Sequence, residues 1–253
     1  MLCLTLTGST LEENRALVAR NRKWVALVEL RLDYLLPDEQ KIASSFPSTV
    51  DLPVILTMRR KIDGGQCDLP EKQRLQLLYE AAKGDFSYVD IEEDVRKSDL
   101  KFKDPFFEQK VDMENSLRKR GVKIIRSYHD YECVPADLFA RIHKLASKGD
   151  IPKVAVTPQS MMDVITIFRV QQELSSQAEK IVIGMGPYGI CTRILYKKCG
   201  SILSFCSDSQ AAPGHLSAQS MSELYRSDKL DERTHIYGII GNPVSHTASP
   251  QIH

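Results

Sequence analysis

The chain has 253 residues, with 34 Lys+Arg against 33 Asp+Glu and a formal net charge of +1. So even a balance provides no sequence-wide positive field for nucleic acid or an anionic membrane surface. At 42% apolar and 26% charged residues, the composition excludes a disordered chain and fits a soluble globule. No apolar run approaches the roughly 20 residues of a membrane helix. The stretch from Met1 to Arg15 has no basic segment ahead of its apolar residues, unlike a signal peptide. The six cysteines (Cys3, Cys67, Cys133, Cys191, Cys199 and Cys206) form no CxxC pair. Their scatter argues against zinc ribbons and disulfide scaffolds, and for thiols of a cytoplasmic protein.

In chain order, short β-branched runs alternate with longer stretches of helical period. Cys3–Thr7 reads as a strand, and Thr10-Leu11-Glu12-Glu13 has the form of a capping box opening a helix toward Arg22. Trp24–Asp33 is the second strand, with a short helix over Asp38–Phe46. Val54–Arg59 and Glu71–Lys83 form the third pair, Phe86–Glu92 and Pro105–Arg120 the fourth, Val122–His129 and Ala136–Lys148 the fifth. Lys153–Thr157 with Ser160–Ser176, Lys180–Met185 with Tyr188–Lys198, and Ser201–Cys206 with Ser217–Arg226 complete the series. Gly84, Gly121, Gly149 and Gly200 each follow a helix, where a left-handed cap is expected. Eight strand–helix units of roughly 28 residues fit a closed (β/α)8 barrel, a TIM barrel, better than an open doubly wound sheet.

In such a barrel, alternate strand residues face the lumen, and functional groups gather at the strand C-termini. The second strand sets Val28, Leu30 and Leu32 on one face against Glu29, Arg31 and Asp33 on the other. Three charges of mixed sign on one face suit a site near the barrel mouth; a solvated edge strand is the other reading. The third strand ends in Arg59-Arg60, with Asp63-Gly64-Gly65 in the loop beyond, and the fifth ends in His129-Asp130. On the sixth, Lys153 shares a face with Ala155 and Thr157. It either points into the lumen or begins the strand at the rim in water. A lysine inside the lumen, desolvated and beside other cations, loses its proton more readily and becomes a nucleophile toward a ketone. The resulting protonated imine acidifies the adjacent C–H, which a histidine such as His129 is suited to remove. Asp63 or Glu29 is placed to orient that base, and Arg59 and Arg193 offer forked donors for a carboxylate or hydroxyls.

One motif points elsewhere. Gly184-Met185-Gly186-Pro187-Tyr188-Gly189 has the GxGxxG form between a strand and a helix, and Asp208 lies 19 residues beyond. That pattern is a dinucleotide fingerprint when it opens a fold. Here it falls in the seventh of eight units, where barrels commonly carry glycines, and Pro187 removes an N–H donor.

Six blocks in this order resemble the type I 3-dehydroquinate dehydratases: Glu29-Leu30-Arg31-Leu32-Asp33; Thr57-Met58-Arg59 with Gly64-Gly65; Ser127-Tyr128-His129-Asp130; Pro152-Lys153-Val154-Ala155; Thr192-Arg193; and Ala212-Pro213-Gly214. The resemblance spans about residues 1–228. It implies a (β/α)8 lyase of the shikimate pathway that converts 3-dehydroquinate to 3-dehydroshikimate with neither metal nor organic cofactor. By the same match Lys153 forms the imine, His129 shuttles the protons, Glu29, Arg31 and Arg59 contact ring hydroxyls, and Arg193 holds the substrate carboxylate. There are departures from the family pattern. Asp63 stands where a glutamate usually sits beside the histidine, and Ala211 and His215 replace the serine and glutamine of the C-terminal lid.

Residues 229–253 read separately, as a linker and then a second resemblance. The run Ile236-Tyr237-Gly238 through Gly241-Asn242-Pro243-Val244-Ser245-His246-Thr247-Ala248-Ser249-Pro250 resembles the opening of shikimate dehydrogenases, NADP enzymes of the next pathway step. In them the positions of Thr247 and Ser249 belong to the shikimate site. The expectation is a dehydratase domain covalently fused, in a longer parent chain, to a dehydrogenase. Two other readings stay open on the residues: a different imine-forming barrel of class I aldolase type, and a dinucleotide-binding α/β protein using Gly184, Gly186 and Gly189.

Overall fold

Local signals set the start of the fold. Thr10 caps helix α1 (Leu11–Asn21): its side chain accepts from the Glu13 N–H while the Glu13 side chain accepts from the Thr10 N–H, the reciprocal capping box its sequence predicts. The structure, a computed structural model, describes residues 1–103, 110–147, 150–174, 179–208 and 214–237.

Eight parallel strands carry the frame: β1 (Leu2–Leu6), β2 (Leu27–Arg31), β3 (Val54–Thr57), β4 (Tyr88–Glu92), β5 (Lys123–Asp130), β6 (Ile151–Val156), β7 (Ile181–Gly184) and β8 (Ser204–Cys206). The ladder runs β8-β1-β2-β3-β4-β5-β6-β7. Its last seam is drawn together by the Ile202 N–H donating to the Lys180 carbonyl at 2.9 Å and the Val182 N–H to the Ser201 hydroxyl at 2.8 Å. The sheet is thus a nearly closed barrel, as the eightfold alternation predicts. Helices α2 (Pro37–Ile42), α3 (Glu71–Ala81), α4 (Met113–Lys119), α5 (Leu138–Ala146), α6 (Met161–Glu173) and α7 (Gly186–Ile194) alternate with the strands.

Two elements differ from expectation. Of the predicted Pro105–Arg120 helix, the described residues form α4, capped by Asp112; before it, Lys101–Lys103 pairs antiparallel with Lys110–Asp112. The alternation Lys-Phe-Lys is the reason: Phe102 turns inward, edge-on to Tyr79 at 5.4 Å, and the lysines turn out. The eighth helix is present but short: residues 218–219 are helical and run into a π-helical turn over Ser220–Leu224. Serine hydroxyls compete there for the backbone, with Ser217 Oγ accepting from the Ser220 N–H and Ser227 Oγ donating to the Met221 carbonyl. Of the glycine caps, Gly121 (φ 80°) and Gly200 (φ 79°) are left-handed as expected. Gly84 is there for space instead, since a Cβ on it would stand 2.0 Å from the Ser44 carbonyl oxygen. Gly149 lies outside the described residues.

Strand parity builds two apolar layers. Leu4, Val28, Leu30, Leu56, Val89, Ile91, Val154, Val156 and Val182 pack outward against the helices. Cys3, Leu27, Ile55, Ile125, Ile151 and Ile181 fill the lumen floor. Burying each such large side chain stabilises the fold by roughly 1.5–3 kcal/mol. One step nearer the mouth the same inward parity turns polar: Thr5, Glu29, Thr57, Asp90, Ser127 and Lys153, all buried. The apolar floor seals one end and leaves the C-terminal end for chemistry.

Candidate active site

A cavity of about 500 Å³, counting its open mouth, sits on that polar layer. Glu29, Arg31, Arg59, Asp63, His129, Lys153, Arg193 and His215 all line it, as do Thr5, Tyr131, Met185 and Phe205. The structure therefore gathers every described residue that the dehydratase resemblance assigns to the barrel's substrate site. Ala211, Thr247 and Ser249 lie outside the described residues.

The β5–β6 register explains how the lysine and histidine meet. Ser127 pairs with Lys153 and His129 with Ala155, so on adjacent strands the histidine stands one inward step nearer the mouth. That step is about 6.6 Å along the strand, and the strands lie about 4.8 Å apart. Ala155, beside the imidazole, leaves open the space above the amine. Lys153 is 5% exposed, which places it in the lumen and not in water at the rim.

The sequence reading set the amine beside other cations; its nearest charged partners are instead carboxylates. Its Nζ donates to Asp90 Oδ2 at 2.9 Å, has Glu29 Oε1 at 3.5 Å, and lies 4.4 Å from the centre of the Phe205 ring. Glu29 is itself held by the hydroxyls of Thr5 (3.1 Å) and Thr57 (2.9 Å). Asp90 accepts from Arg59 at 2.9 Å and from Ser127. Burial would push its carboxyl pKa up, but Arg59 and Lys153 outweigh burial and hold it well below the usual range. Arg59 also donates to Glu92 Oε1 at 2.8 Å and to Ser127 Oγ at 2.9 Å. Two-sided anchoring of this kind presents a guanidinium in one orientation. Arg31 is fixed by a bidentate pair to the buried Asp33 at 2.9 and 2.7 Å. Asp33 accepts further from the backbone N–H groups of Arg59 and Gln66, tying the β3 loop to β2.

His129 is half-buried, and its buried Nδ1 has no hydrogen-bond partner among the described residues. Burial first, then Arg59 and Lys153, push its pKa well below the usual histidine value, so the imidazole is neutral. Asp63 does not orient it, contrary to the sequence expectation. The Asp63 carboxylate accepts from Arg60 Nε at 2.5 Å, and its backbone carbonyl accepts from the Tyr131 hydroxyl at 2.9 Å. The aspartate side chain is one methylene shorter than glutamate, and a neighbouring arginine engages it at the cavity mouth.

Arg193 is 2% exposed, and burial brings its pKa down to about 10. His215 is half-buried with an unbonded, buried Nδ1, and burial followed by Arg193, Arg31 and Lys153 holds its pKa well below normal. A cavity with this concentration of donors favours an anionic, hydroxylated ligand. Among the described residues no cluster of three or more His, Cys, Asp or Glu side chains has the arrangement of a metal site.

The sequence reading missed Asp90, Glu92 and Tyr131. The strand Tyr88-Val89-Asp90-Ile91-Glu92 carries the same alternation of charge and aliphatic that singled out β2, and that signal was sufficient to find the two carboxylates. Of the GxGxxG glycines, Gly184 and Gly189 serve packing, and Gly186 takes a left-handed φ of 69°. The Gly184 N–H donates to Thr192 Oγ1 at 2.8 Å, Thr192 donates to the Gly189 carbonyl at 2.7 Å, and a Cβ on Gly189 would stand 2.2 Å from the Gly184 carbonyl carbon. Those contacts bring α7 hard against the end of β7.

The comparisons with known proteins agree with this geometry. Residues 2–232 match the family model described as type I 3-dehydroquinase. The chain is 33% identical over 239 residues to the chloroplastic bifunctional 3-dehydroquinate dehydratase/shikimate dehydrogenase of Arabidopsis thaliana; the match covers 90% of this chain but 37% of that protein. It is 31% identical over 233 residues to the 3-dehydroquinate dehydratase of Methanocaldococcus jannaschii, covering 89% of this chain and 98% of the relative. The crystal structure of the Aquifex aeolicus 3-dehydroquinate dehydratase superposes with a TM-score of 0.72 at 27% identity, over 93% of this chain and all of that one. With a family match over nearly its whole length and a barrel to go with it, the chain belongs to the type I 3-dehydroquinate dehydratases, lyases of the shikimate pathway.

Proposed function

We propose that this chain dehydrates 3-dehydroquinate to 3-dehydroshikimate through an imine on Lys153. The observation that carries the reading is one buried amine held between two carboxylates in a cavity that also presents a neutral imidazole. Nζ has to shed a proton before it attacks the ketone carbon. Asp90, kept ionised by Arg59, is a poor place for that proton, and neutral His129 is the better one. Attack gives a carbinolamine; His129 returns its proton to the carbinolamine hydroxyl, which leaves as water, giving the protonated imine and a neutral imidazole. His129 then removes the proton next to the imine carbon. The C–H electron pair moves into the ring as a double bond, and the hydroxyl leaves as water with a proton from His129. Hydrolysis of the imine returns the lysine and the enone product.

Arg31 and Arg59, fixed by their carboxylates, and Glu29 are assigned to the ring hydroxyls. Arg193 is assigned to the substrate carboxylate, since a guanidinium whose charge is penalised by burial gains most from an anion. Ala211 and His215 are assigned by the family pattern to the lid, where the imidazole is left to donate one hydrogen bond. Asp63 is assigned a part at the mouth through Arg60 and Tyr131 in place of direct contact with His129. The family needs no cofactor for this reaction.

The test is borohydride reduction in the presence of dehydroquinate, read by mass spectrometry, beside a turnover assay that follows the conjugated enone. A reduced adduct on Lys153 with product formation supports the reading. Product without any adduct overturns it, and an adduct formed only with an aldol substrate assigns the barrel to aldolase chemistry.

We also propose that residues 229–253 are the linker and opening of a shikimate dehydrogenase-like domain, with NADP the cofactor of that domain and not of the barrel. The Gly241–Pro250 motif and the bifunctional Arabidopsis relative support this. The start of the linker is held against the turn that follows α7, where Lys197 and Lys198 donate to the carbonyls of Asp228 and Glu232 at 3.0 and 2.9 Å. Substitution of Thr247 or Ser249 is expected to leave dehydratase turnover unchanged; a loss there overturns the assignment. The cytoplasm is the proposed location, and no helix among the described residues is long and apolar enough to cross a membrane.

A further inference from the structure

The charges around Lys153 do not end at the cavity wall. They form an alternating line that leaves the barrel lumen and reaches a helix on the outside. Lys153 meets Asp90 at 2.9 Å, Asp90 meets Arg59 at 2.9 Å, Arg59 meets Glu92 at 2.8 Å, and Glu92 meets Arg74 at 2.9 Å. Arg74 lies in the second turn of α3, is fully buried, and is held bidentately by Glu71, with Nε and NH2 at 3.0 and 2.7 Å. It also donates to the carbonyl of Met58 at 2.6 Å, the backbone group immediately before Arg59. Thus one side chain grips both the peptide that carries Arg59 and the carboxylate that holds the Arg59 guanidinium.

We propose that Arg74 is a positioning residue for the imine chemistry: by fixing Glu92 and the backbone at Arg59, it sets where Asp90 stands and how readily Lys153 gives up its proton. The inference rests on the assignment of Lys153 as the nucleophile. A buried arginine merely bracing a loop needs one good carboxylate, and Glu71 already supplies it. The additional grip on Glu92 joins Arg74 to the lysine through unbroken contacts in a region where water screens little. Burial raises the Glu92 carboxyl pKa while Arg59 and Arg74 act against burial, so this glutamate depends on both arginines for its charge. Removing a cation from such a line favours protonation at its far end, and removing an anion disfavours it.

The experiment measures the pH dependence of kcat/KM, and the rate of borohydride-trapped imine formation, for the unaltered chain, Arg74→Met, Arg74→Lys, Glu92→Gln and the double variant Arg74→Met/Glu92→Gln. Folding is checked by circular dichroism, and rates are scaled to the folded fraction. Arg74→Met is expected to move the acid limb to higher pH by about 0.5 or more, and Glu92→Gln to lower pH by a similar amount. The double variant returns close to the starting profile, and Arg74→Lys, which keeps charge but not the fork, shifts less than Arg74→Met. If the profiles superimpose while only melting temperatures differ, or if both single variants move the limb the same way, Arg74 is a brace and the proposal fails. Should Arg74→Met not fold, Glu92→Gln and Arg74→Lys still decide by the direction of their shifts. Failure of the nucleophile assignment is separate, because then the unaltered chain itself traps no adduct on Lys153.

Discussion

Among the described residues two lysines are buried in this barrel, one at each end, and their surroundings differ. Lys153, at the C-terminal end, faces Asp90 and Glu29 across a cavity that also holds His129 and three arginines. Lys180, at the N-terminal seam between β7 and β8, is 2% exposed, donates to the Leu174 carbonyl at 2.8 Å, and has its pKa lowered by burial alone. Burial lowers the Lys180 pKa, yet that amine's hydrogen bond is spent on the carbonyl that ends α6. The comparison teaches that a reactive lysine is defined by what shares its space, namely a proton acceptor and room for a ketone, and not by desolvation alone.

The sharpest way to break that comparison is to exchange the two losses. Lys153→Ala is expected to lower kcat by about a thousandfold or more with the fold retained, since nothing else in the cavity can form the imine. Lys180→Met is expected to leave kcat within about threefold while changing the melting temperature. Equal losses of activity in both variants would remove the distinction. His129→Ala comes next: a fall in kcat of about 10²- to 10⁴-fold, slowing imine formation and release together in single-turnover traces. Arg193→Ala is expected to act mainly on binding. Loss of a charge-assisted contact of about 1.5–3 kcal/mol raises KM roughly ten- to a hundredfold.

Smaller effects test the electrostatics. His129 and His215 both have folded-state pKa values below the unfolded histidine value, so the unfolded chain takes up protons first as the pH falls. Their contribution to stability is fully present above about pH 6.5 and is lost as the pH drops below it toward the folded values. The melting temperature is accordingly expected to decline between pH 7 and pH 5, and His215→Gln is expected to flatten that decline in calorimetry. The same substitution, combined with Ala211→Ser, restores the usual lid pair and is expected to lower KM a few-fold. An unchanged or higher KM would remove the lid from substrate binding.

Much of the fold was legible because the barrel repeats a local rule. Apolar residues of one parity on each strand face the helices, and capping signals such as Thr10 and Glu13 start the helix between them. The misread segments are those where that rule meets a competing local force. Lys110–Asp112, expected in a helix, instead pairs as a strand with the Lys-Phe-Lys segment, and serine side chains accompany a π-helical turn in the eighth helix. At the site, the charged face of β2 and the inward lysine of β6 were visible as violations of an apolar pattern. Asp90 and Glu92 showed the same violation on β4. Asp63 failed as the partner of His129 for a reason no linear pattern carries: Arg60, three residues away in sequence, engages its carboxylate at the mouth.

The sequence by itself determined the eightfold alternation, the inward parity of the charged residues and the identity of the amine and imidazole, because these follow from the two-residue period of a strand and the side chains it carries. The partners of those groups were decided only by tertiary structure. Whether Lys153 meets a carboxylate or a cation, which carboxylate is left for His129, and how Arg74 on an outer helix reaches the lumen all depend on register between strands distant in the chain. Electrostatic energy inside a protein falls off with separation in space, and the barrel's stagger sets that separation.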